Sequence, residues 1–288
     1  MSGDSKLKCV SPIRSLFSPE LQICKQSFTL ELQRSEFVQC CPLCNSVCTK
    51  PDDAHLKACV SSGLCAMALV IGIVSTKGGS GKTTMAINLA RAIQLDGYDV
   101  QVIDTDPKRT AARWGELQPE GYHVPVRHVD DASSAVSFQS RIMLLEEEAE
   151  VSVIDGPTKS DGTIETLVRA SHAVLIPAQT HVDISAVRPV VEIVRRTSTL
   201  AAFVVTRQIV GANLADKIAD SLKEHDLPVF EHRVYQRVAY AETLLEGISV
   251  TDRPGAVKAR KEVEGIAGEL TSLLRRQRES DEQSQYDR

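Results

Sequence analysis

From residue 67 onward, short apolar segments alternate with longer segments in which apolar residues recur every three or four positions. The short segments are rich in β-branched residues, which is typical of strands buried on both faces of a sheet. Strands are predicted at 68–75, 99–104, 151–155, 173–178 and 200–206. Helices are predicted at about 82–95, 132–149, 162–171, 183–196, 213–225 and 255–277. This alternation predicts an α/β fold, with a mostly parallel, doubly wound sheet flanked by helices.

Residues 1–66 lack sustained periodicity of either kind and contain all eight cysteines of the chain. This change predicts three parts: a cysteine-rich N-terminal extension at 1–66, the α/β domain at 67–277 and a polar tail at 278–288. Within the extension, a cysteine pair followed by a histidine and a cysteine has the spacing of a tetrahedral zinc site. Its predicted ligands are Cys41, Cys44, His55 and Cys59. The same segment also fits a disordered arm with unpaired cysteines, or an extension that is not native to the domain, because Met67 directly precedes the first strand.

The composition, with 42% apolar and 25% charged residues, is typical of a soluble globular protein. The chain has no run of 18 apolar residues, and its first residues lack the apolar core of a signal peptide, so we expect a cytoplasmic location. The formal net charge of −5 argues against a protein that coats nucleic acid by bulk attraction. Binding to nucleic acid would require a local basic patch.

The segment KGGSGKTT at 77–84 directly follows the first predicted strand and opens the first predicted helix. Its glycines let the backbone curl so that N–H groups point at phosphate oxygens, and the helix N-terminus adds its positive end. Lys82 would neutralise the β- and γ-phosphates, the Thr83 hydroxyl would ligate Mg²⁺, and Thr84 would donate to the α-phosphate. The predicted nucleotide-binding residues are Lys77, Gly78, Gly79, Ser80, Gly81, Lys82, Thr83 and Thr84.

Carboxylates follow two further predicted strands. Asp104 and Asp106 come at the end of VIDTD, and Asp155 ends the apolar strand VSVID. Carboxylates at the carboxyl end of a strand are costly unless a cation is nearby, and Mg²⁺ with its water shell supplies one. An apolar strand that ends in aspartate is the Walker B arrangement, in which Asp155 would hold Mg²⁺ through water.

KGGSGKTT, with its additional early lysine, resembles the deviant Walker A motif of the ParA/MinD family of partition and positioning ATPases. DTDP at 104–107 and VIDGP at 153–157 are similar to the next motifs of that family, and the resemblance covers about 67–250. It implies a P-loop NTPase fold, ATP and Mg²⁺ as cofactors, and a homodimer that closes around ATP. It also implies an ATP hydrolase that is slow until a partner stimulates it.

By this resemblance, Lys77 crosses the dimer interface to the nucleotide of the partner subunit, and Asp106 orients the attacking water. Lys77, Lys82 and Asp106 are therefore the expected catalytic residues. The expected magnesium residues are Thr83, Asp104, Asp106 and Asp155. The chain departs from the family pattern after the proline, where partition ATPases often have Gln-Gly and this chain has Lys108 and Arg109.

The resemblance is strongest to the partition branch, in which the ATP-bound dimer binds DNA non-specifically and associates with the nucleoid. A ParB-like centromere-binding protein would be the activator, and the cargo a plasmid or chromosome. The polar face of the predicted last helix, together with an arginine before it, would supply the DNA-binding residues Lys258, Lys261, Arg275, Arg276 and Arg237.

The alternative is a MinD-like, membrane-associated positioning ATPase. That branch requires a terminal amphipathic helix with bulky apolar residues, whereas this chain ends in SDEQSQYDR, so a membrane partner is not expected. Cluster-bearing relatives place cysteines within the ATPase domain, and this domain has none. A protein that only binds nucleotide would not need Lys77, Lys82, Asp106 and Asp155 together. Their presence therefore argues against a binding module without hydrolysis.

Overall fold

The computed structural model describes residues 38–39, 47–48, 68–129, 149–158, 162–179, 187–209 and 214–286. It divides the chain into two units, Met1–Met67 and Ala68–Arg288. In the first unit, strand β1 (Val38–Gln39) pairs antiparallel with strand β2 (Val47–Cys48). The expected zinc ligands Cys41, Cys44, His55 and Cys59 lie outside the described residues.

The second unit is built on a six-stranded sheet, as far as the described residues show. Its strands are β3 (Leu69–Ile73), β4 (Val100–Asp104), β5 (Val126–His128), β6 (Val151–Asp155), β7 (Ala173–Gln179) and β8 (Leu200–Thr206). Their order is β5-β4-β6-β3-β7-β8, and every neighbouring pair is parallel. The predicted α/β fold with a parallel sheet is confirmed. Strand β5 was missed because it is a short edge strand that is only partly buried.

The described helices follow the strands in alternation, as the sequence predicts. They are α1 (Lys82–Leu95), α2 (Thr110–Glu116), α3 (Thr163–Ala170), α4 (Arg188–Thr197), α5 (Leu214–Lys223), α6 (Val238–Glu246) and α7 (Val257–Tyr286). Almost all of the helix predicted at 132–149 lies outside the described residues. Helix α7 continues well past residue 277, where side-chain pairs four residues apart, such as Arg278 with Glu282, support it.

Both faces of the sheet are buried. Val70 belongs to an apolar cluster that the strands form with α3, α4 and α5, while the next residue, Ile71, points to the opposite face and is equally buried. Helix α1 packs on β4 and β6 at the other face, and α7 packs against α1. Truncating a fully buried core side chain such as Phe203 to alanine would cost about 3–5 kcal/mol. None of the described helices is both long and apolar enough to cross a membrane.

The register of the central strands brings two aspartates next to the end of β3. Ile73 of β3 lies opposite Asp155 of β6, and Asp155 lies opposite Asp104 of β4. The loop after β3 therefore begins beside two buried aspartates, at the carboxyl edge of the sheet, where parallel α/β proteins bind their ligands.

Candidate nucleotide-binding site

The loop between β3 and α1 has the backbone of an anion site. Gly79 and Gly81 have φ values of +72° and +94°, which residues with a side chain rarely adopt. Gly81 is the N-cap of α1 and makes no side-chain cap hydrogen bond, and the first turn of α1 contains no acidic residue. The first N–H groups of the helix are thus left for a ligand of negative charge.

The ends of two other strands hold this loop in place. The Thr206 hydroxyl donates to the carbonyl oxygen of Ser80 at 2.8 Å, and the Arg207 guanidinium donates to the carbonyl oxygen of Gly79 at 3.1 Å. The Gln179 side-chain amide donates to the same Gly79 oxygen. Sequence reasoning missed these three residues, although each lies at or just after the carboxyl end of a predicted strand, which is the edge of the sheet where the loop was expected.

Lys82 is buried at the start of α1, with only 6% of its surface exposed. Its ammonium donates to the carbonyl oxygen of Lys77 at 3.3 Å. Burial lowers the pKa of Lys82, and the charges of Asp155 and Asp106 oppose this. A largely buried ammonium is costly, and a polyphosphate bound above the loop would compensate its charge.

Thr83 and Asp155, two of the four expected magnesium residues, are in direct contact. The Thr83 hydroxyl donates to Oδ2 of Asp155 at 2.7 Å, and the Asp155 carboxyl is fully buried. Its second oxygen, Oδ1, has no hydrogen-bond partner among the described residues. The pKa of Asp155 is raised to about 7, mainly by burial and with a contribution from the charge of Asp104, whereas the hydrogen bond from Thr83 lowers it. A buried carboxylate oxygen without a partner, beside a hydroxyl, fits a hard cation such as Mg²⁺.

Among the residues that the structure describes, no group of three or more His, Cys, Asp or Glu side chains is arranged to bind a metal ion. At nucleotide sites Mg²⁺ is usually held by one or two protein oxygens, and phosphates and water complete its coordination. If Mg²⁺ is bound here, the protein ligands would be the Thr83 hydroxyl and the Asp155 carboxylate.

The two aspartates that follow β4 have different surroundings. Asp104 is fully buried, and its two oxygens accept hydrogen bonds from the backbone N–H groups of Asp106 (3.0 Å) and Ala112 (2.8 Å). Asp104 therefore fixes the turn at 105–109 and the start of α2, which is the turn-capping role that the sequence offered as the alternative to magnesium binding. Asp106 is only partly buried and lines the same cleft as Lys82. Magnesium contact by Asp104 stays a prediction, and it is Asp106 that faces the cleft.

Lys77 lies half-buried between β3 and the glycines. Its backbone N–H donates to the Ser75 hydroxyl at 3.3 Å, and its carbonyl oxygen accepts from Lys82. The Lys77 ammonium has no hydrogen-bond or ion-pair partner among the described residues. Such a cation is available to a ligand or to a second subunit.

The residues of the glycine loop at 78–84 line an open cleft of about 1010 Å³ that extends to the segment at 234–244. That volume is at the upper end of the range for small-molecule sites and is large enough for a nucleoside triphosphate. Beyond the loop, the cleft is lined by Asp106, Lys108, Thr110, Thr158, Thr206, Arg207, Ile209, Tyr235, Arg237 and Val238, among others.

The expected DNA-binding residues fall into two groups. Lys258, Lys261, Arg275 and Arg276 are exposed on α7. Arg237 differs, because its guanidinium donates to Oε1 of the buried Glu262 at 2.6 Å and also lines the nucleotide cleft. The charge of Arg237 is therefore already neutralised within the fold.

Comparison with known proteins places this geometry in context. The family model of the CobQ/CobB/MinD/ParA nucleotide binding domain matches residues 71–250. The maintenance of carboxysome distribution protein A of Gloeobacter kilaueensis is 26% identical in an alignment 216 residues long. The alignment covers 70% of this chain and 93% of the relative.

Two solved structures have the same fold. Cyanothece McdA in complex with ATP superposes with a TM-score of 0.59 at 20% identity, over 69% of this chain and 95% of that one. MinD from Pyrococcus horikoshii in complex with Mg-ADP gives a TM-score of 0.56 at 19% identity, over 71% of this chain and 96% of that one. Since the family model spans more than half of the chain and includes the loop and both aspartate-bearing strands, this protein belongs to the CobQ/CobB/MinD/ParA family of nucleotide-binding domains, which confirms the resemblance seen in its motifs.

Proposed function

We propose that the protein is an ATP hydrolase that dimerises on ATP and partitions plasmid or chromosomal DNA, binding DNA non-specifically in its ATP-bound state. The observation that carries the proposal is the arrangement of Lys82 and the Thr83–Asp155 pair beneath a glycine loop. A buried cation, a hydroxyl and a buried carboxylate without a second partner are the groups that a magnesium-bound triphosphate requires.

The hydrolytic step follows from charge and alignment. Mg²⁺ held by Thr83 and Asp155 would neutralise part of the phosphate charge. Lys82 would bind the β- and γ-phosphates, and the backbone N–H groups of the glycine loop would orient them. Asp106, which faces the cleft from the turn after β4, would orient the attacking water. Because phosphoryl transfer depends mainly on alignment and charge compensation, these groups are sufficient.

Dimerisation depends on Lys77. Its ammonium is half-buried at the end of β3 and lacks a partner among the described residues, so it is available to the nucleotide of a facing subunit. By resemblance to the ParA/MinD motif, this lysine completes the partner's site, and ATP holds two copies together. A ParB-like protein would then stimulate hydrolysis and release the dimer.

DNA binding would use the exposed basic residues of α7. Lys258 and Lys261 lie near its start and Arg275 and Arg276 near its middle, all exposed. Contacts of this kind with phosphates give affinity without sequence choice. Since the net charge of the chain is −5, such binding depends on this local surface and not on the whole protein.

A second candidate cargo is a protein assembly. Relatives named for maintenance of carboxysome distribution, from two organisms, match most of their own length to this chain. The same ATP-dependent cycle on DNA would serve either cargo. Membrane positioning, the other branch considered, is tested by the liposomes in the experiment below.

The deciding experiment measures binding of the full-length protein to random-sequence duplex DNA and to anionic liposomes, with Mg-ATP, Mg-ADP or no nucleotide. We expect DNA binding only with Mg-ATP, and a steep loss of affinity as salt rises. The variant Lys258→Gln/Lys261→Gln should weaken DNA binding while ATP turnover stays unchanged. Lys223→Gln, an exposed lysine on α5, is the matched control. Binding to liposomes but not to DNA would overturn the partition proposal.

A further inference from the structure

Lys108 occupies an unusual position in the candidate site. It stands in the turn between β4 and α2, where its backbone N–H donates to Oδ1 of Asp106 at 2.9 Å. Its exposed side chain lines the cleft together with Lys82 and Asp106. One of the two residues that depart from the usual family pattern therefore contacts, through its backbone N–H, the carboxylate expected to orient water.

The turn that carries Lys108 is held rigidly. Asp104 accepts hydrogen bonds from the N–H groups on either side of it, at Asp106 and at Ala112. Arg109, the next residue, has a φ of +55° as the N-cap of α2, which a residue with a side chain adopts only where its surroundings impose it. The backbone of Lys108 is thus fixed between two anchored positions, as a residue that contacts substrate should be.

The charge of Lys108 acts on Lys82, which lies where the phosphates are expected to bind. Burial is the main cause of the lowered pKa of Lys82; the charges of Asp155 and Asp106 oppose it, and the charge of Lys108 adds a smaller lowering. The Lys108 ammonium has no hydrogen-bond or ion-pair partner among the described residues. Two cations that approach one end of a cleft repel each other unless an anion lies between them, and a triphosphate is such an anion.

We infer that Lys108 is a further catalytic residue, whose ammonium contacts the terminal phosphate of ATP bound in its own subunit. This inference rests on the proposed ATPase function. In the reaction, the water oxygen bonds to the γ-phosphorus, and the bond from that phosphorus to the β–γ bridging oxygen breaks, leaving its electron pair on ADP. One proton of the water stays with the inorganic phosphate and the other is released to solvent. Lys108 compensates the negative charge on the phosphoryl group during this transfer, together with Lys82 of the glycine loop.

The test compares Lys108→Gln, Lys108→Arg and the control Lys223→Gln in the full-length protein. Calorimetry measures affinity for Mg²⁺ with β,γ-imido-ATP and for Mg-ADP, and single-turnover assays measure hydrolysis at saturating ATP. We expect Lys108→Gln to lower affinity for the triphosphate analogue by about tenfold or more, while ADP affinity stays within about twofold of wild type. The single-turnover rate should fall by about 100-fold. Lys108→Arg should recover most of both losses, and Lys223→Gln should match wild type.

Two outcomes would overturn the inference. One is a Lys108→Gln variant whose triphosphate affinity and hydrolysis rate stay within about twofold of wild type. The other is an equal loss of affinity for triphosphate and diphosphate, which would place Lys108 away from the terminal phosphate. If wild-type protein itself failed to bind Mg-ATP, the proposed function would fail together with this inference. If the wild-type protein hydrolysed ATP and Lys108→Gln hydrolysed it equally well, only the inference about Lys108 would fail.

Discussion

The hydroxyl of Thr83 and the Oδ2 atom of Asp155 lie 2.7 Å apart, although the two residues are separated by 72 positions in the chain. This hydrogen bond joins the first turn of α1 to the carboxyl end of β6. It exists because β3, which leads into the loop, pairs in parallel with β6 and places Ile73 opposite Asp155. One donor and one buried acceptor thus connect the phosphate loop to the strand expected to hold Mg²⁺.

Thr83→Ala should weaken binding of Mg-ATP by about 10–100-fold, because it removes one expected magnesium ligand and the partner of Asp155. Nucleotide binding in EDTA should change little, since the glycine loop and Lys82 remain. Thr83→Ser keeps the hydroxyl and is the control, with affinity close to wild type. Calorimetry with and without Mg²⁺ measures the effect, and equal losses in both conditions would contradict the assignment.

Asp155→Asn should stabilise the nucleotide-free, metal-free protein at high pH. Burial raises the pKa of Asp155 to about 7 in the folded state, above its value in the unfolded chain. The folded state therefore holds this proton more tightly, so the stability that the group contributes is present at low pH and is lost as pH rises toward 7. The asparagine variant should unfold with a free energy about 1–2 kcal/mol higher than wild type at pH 8.

Urea denaturation in EDTA at pH 5 and pH 8 measures this difference. The advantage of Asp155→Asn should shrink at pH 5, where the wild-type carboxyl is protonated. Hydrolysis of Mg-ATP by the variant should be lost at both pH values. A stability difference that does not change with pH would contradict the raised pKa of Asp155.

Lys77→Ala and Lys82→Ala should separate dimerisation from nucleotide binding. Lys82→Ala should abolish ATP binding, because the buried ammonium beneath the loop is removed. Lys77→Ala should leave ATP binding largely intact but prevent the ATP-dependent dimer, since the Lys77 ammonium, which has no partner among the described residues, would serve the nucleotide of the other subunit. Light scattering with Mg-ATP measures the dimer, and a Lys77→Ala dimer that persists would exclude the cross-subunit role.

Asp106→Ala should bind Mg-ATP and remain in the dimeric state without turnover, because water would lose its orienting carboxylate while the phosphate contacts remain. Phosphate release and light scattering measure the two properties together. The fold should be retained, because Asp104 still holds the turn through the backbone N–H of residue 106 and the variant loses only the hydrogen bond from the Lys108 N–H to the Asp106 carboxylate. Turnover at the wild-type rate would show that Asp106 does not position water.

The pair of Arg237 and Glu262 should be structural. Glu262 is 7% exposed and also accepts hydrogen bonds from the Tyr240 hydroxyl and the Tyr235 N–H. Arg237→Leu would leave this carboxylate buried without its cation, which should lower the free energy of unfolding by about 3–5 kcal/mol. Replacing both residues with leucine should recover part of the loss. If Arg237→Leu instead kept full stability and lost only DNA affinity, Arg237 would belong to the DNA-binding surface.

The sequence by itself determined the features that consecutive residues encode. Apolar β-branched runs predicted five strands of the sheet, and the glycine-rich segment between strand and helix predicted the phosphate loop, where Gly79 and Gly81 adopt positive φ. The order of the three motifs was enough to identify the family. These signals are local, because a strand's periodicity or a glycine's backbone freedom depends on neighbouring residues.

Only the tertiary structure decided which distant groups share one site. It assigned Asp104 to the turn and α2, gave the glycine loop its support from Thr206 and Arg207, and paired Arg237 with Glu262. It also placed Lys108 beside Asp106 in the cleft. Contacts of this kind depend on strand register and on which hydrogen-bond donors remain without partners after the sheet and helices have packed. Periodicity does not contain that information, because residues far apart in the chain meet only when the whole domain has folded.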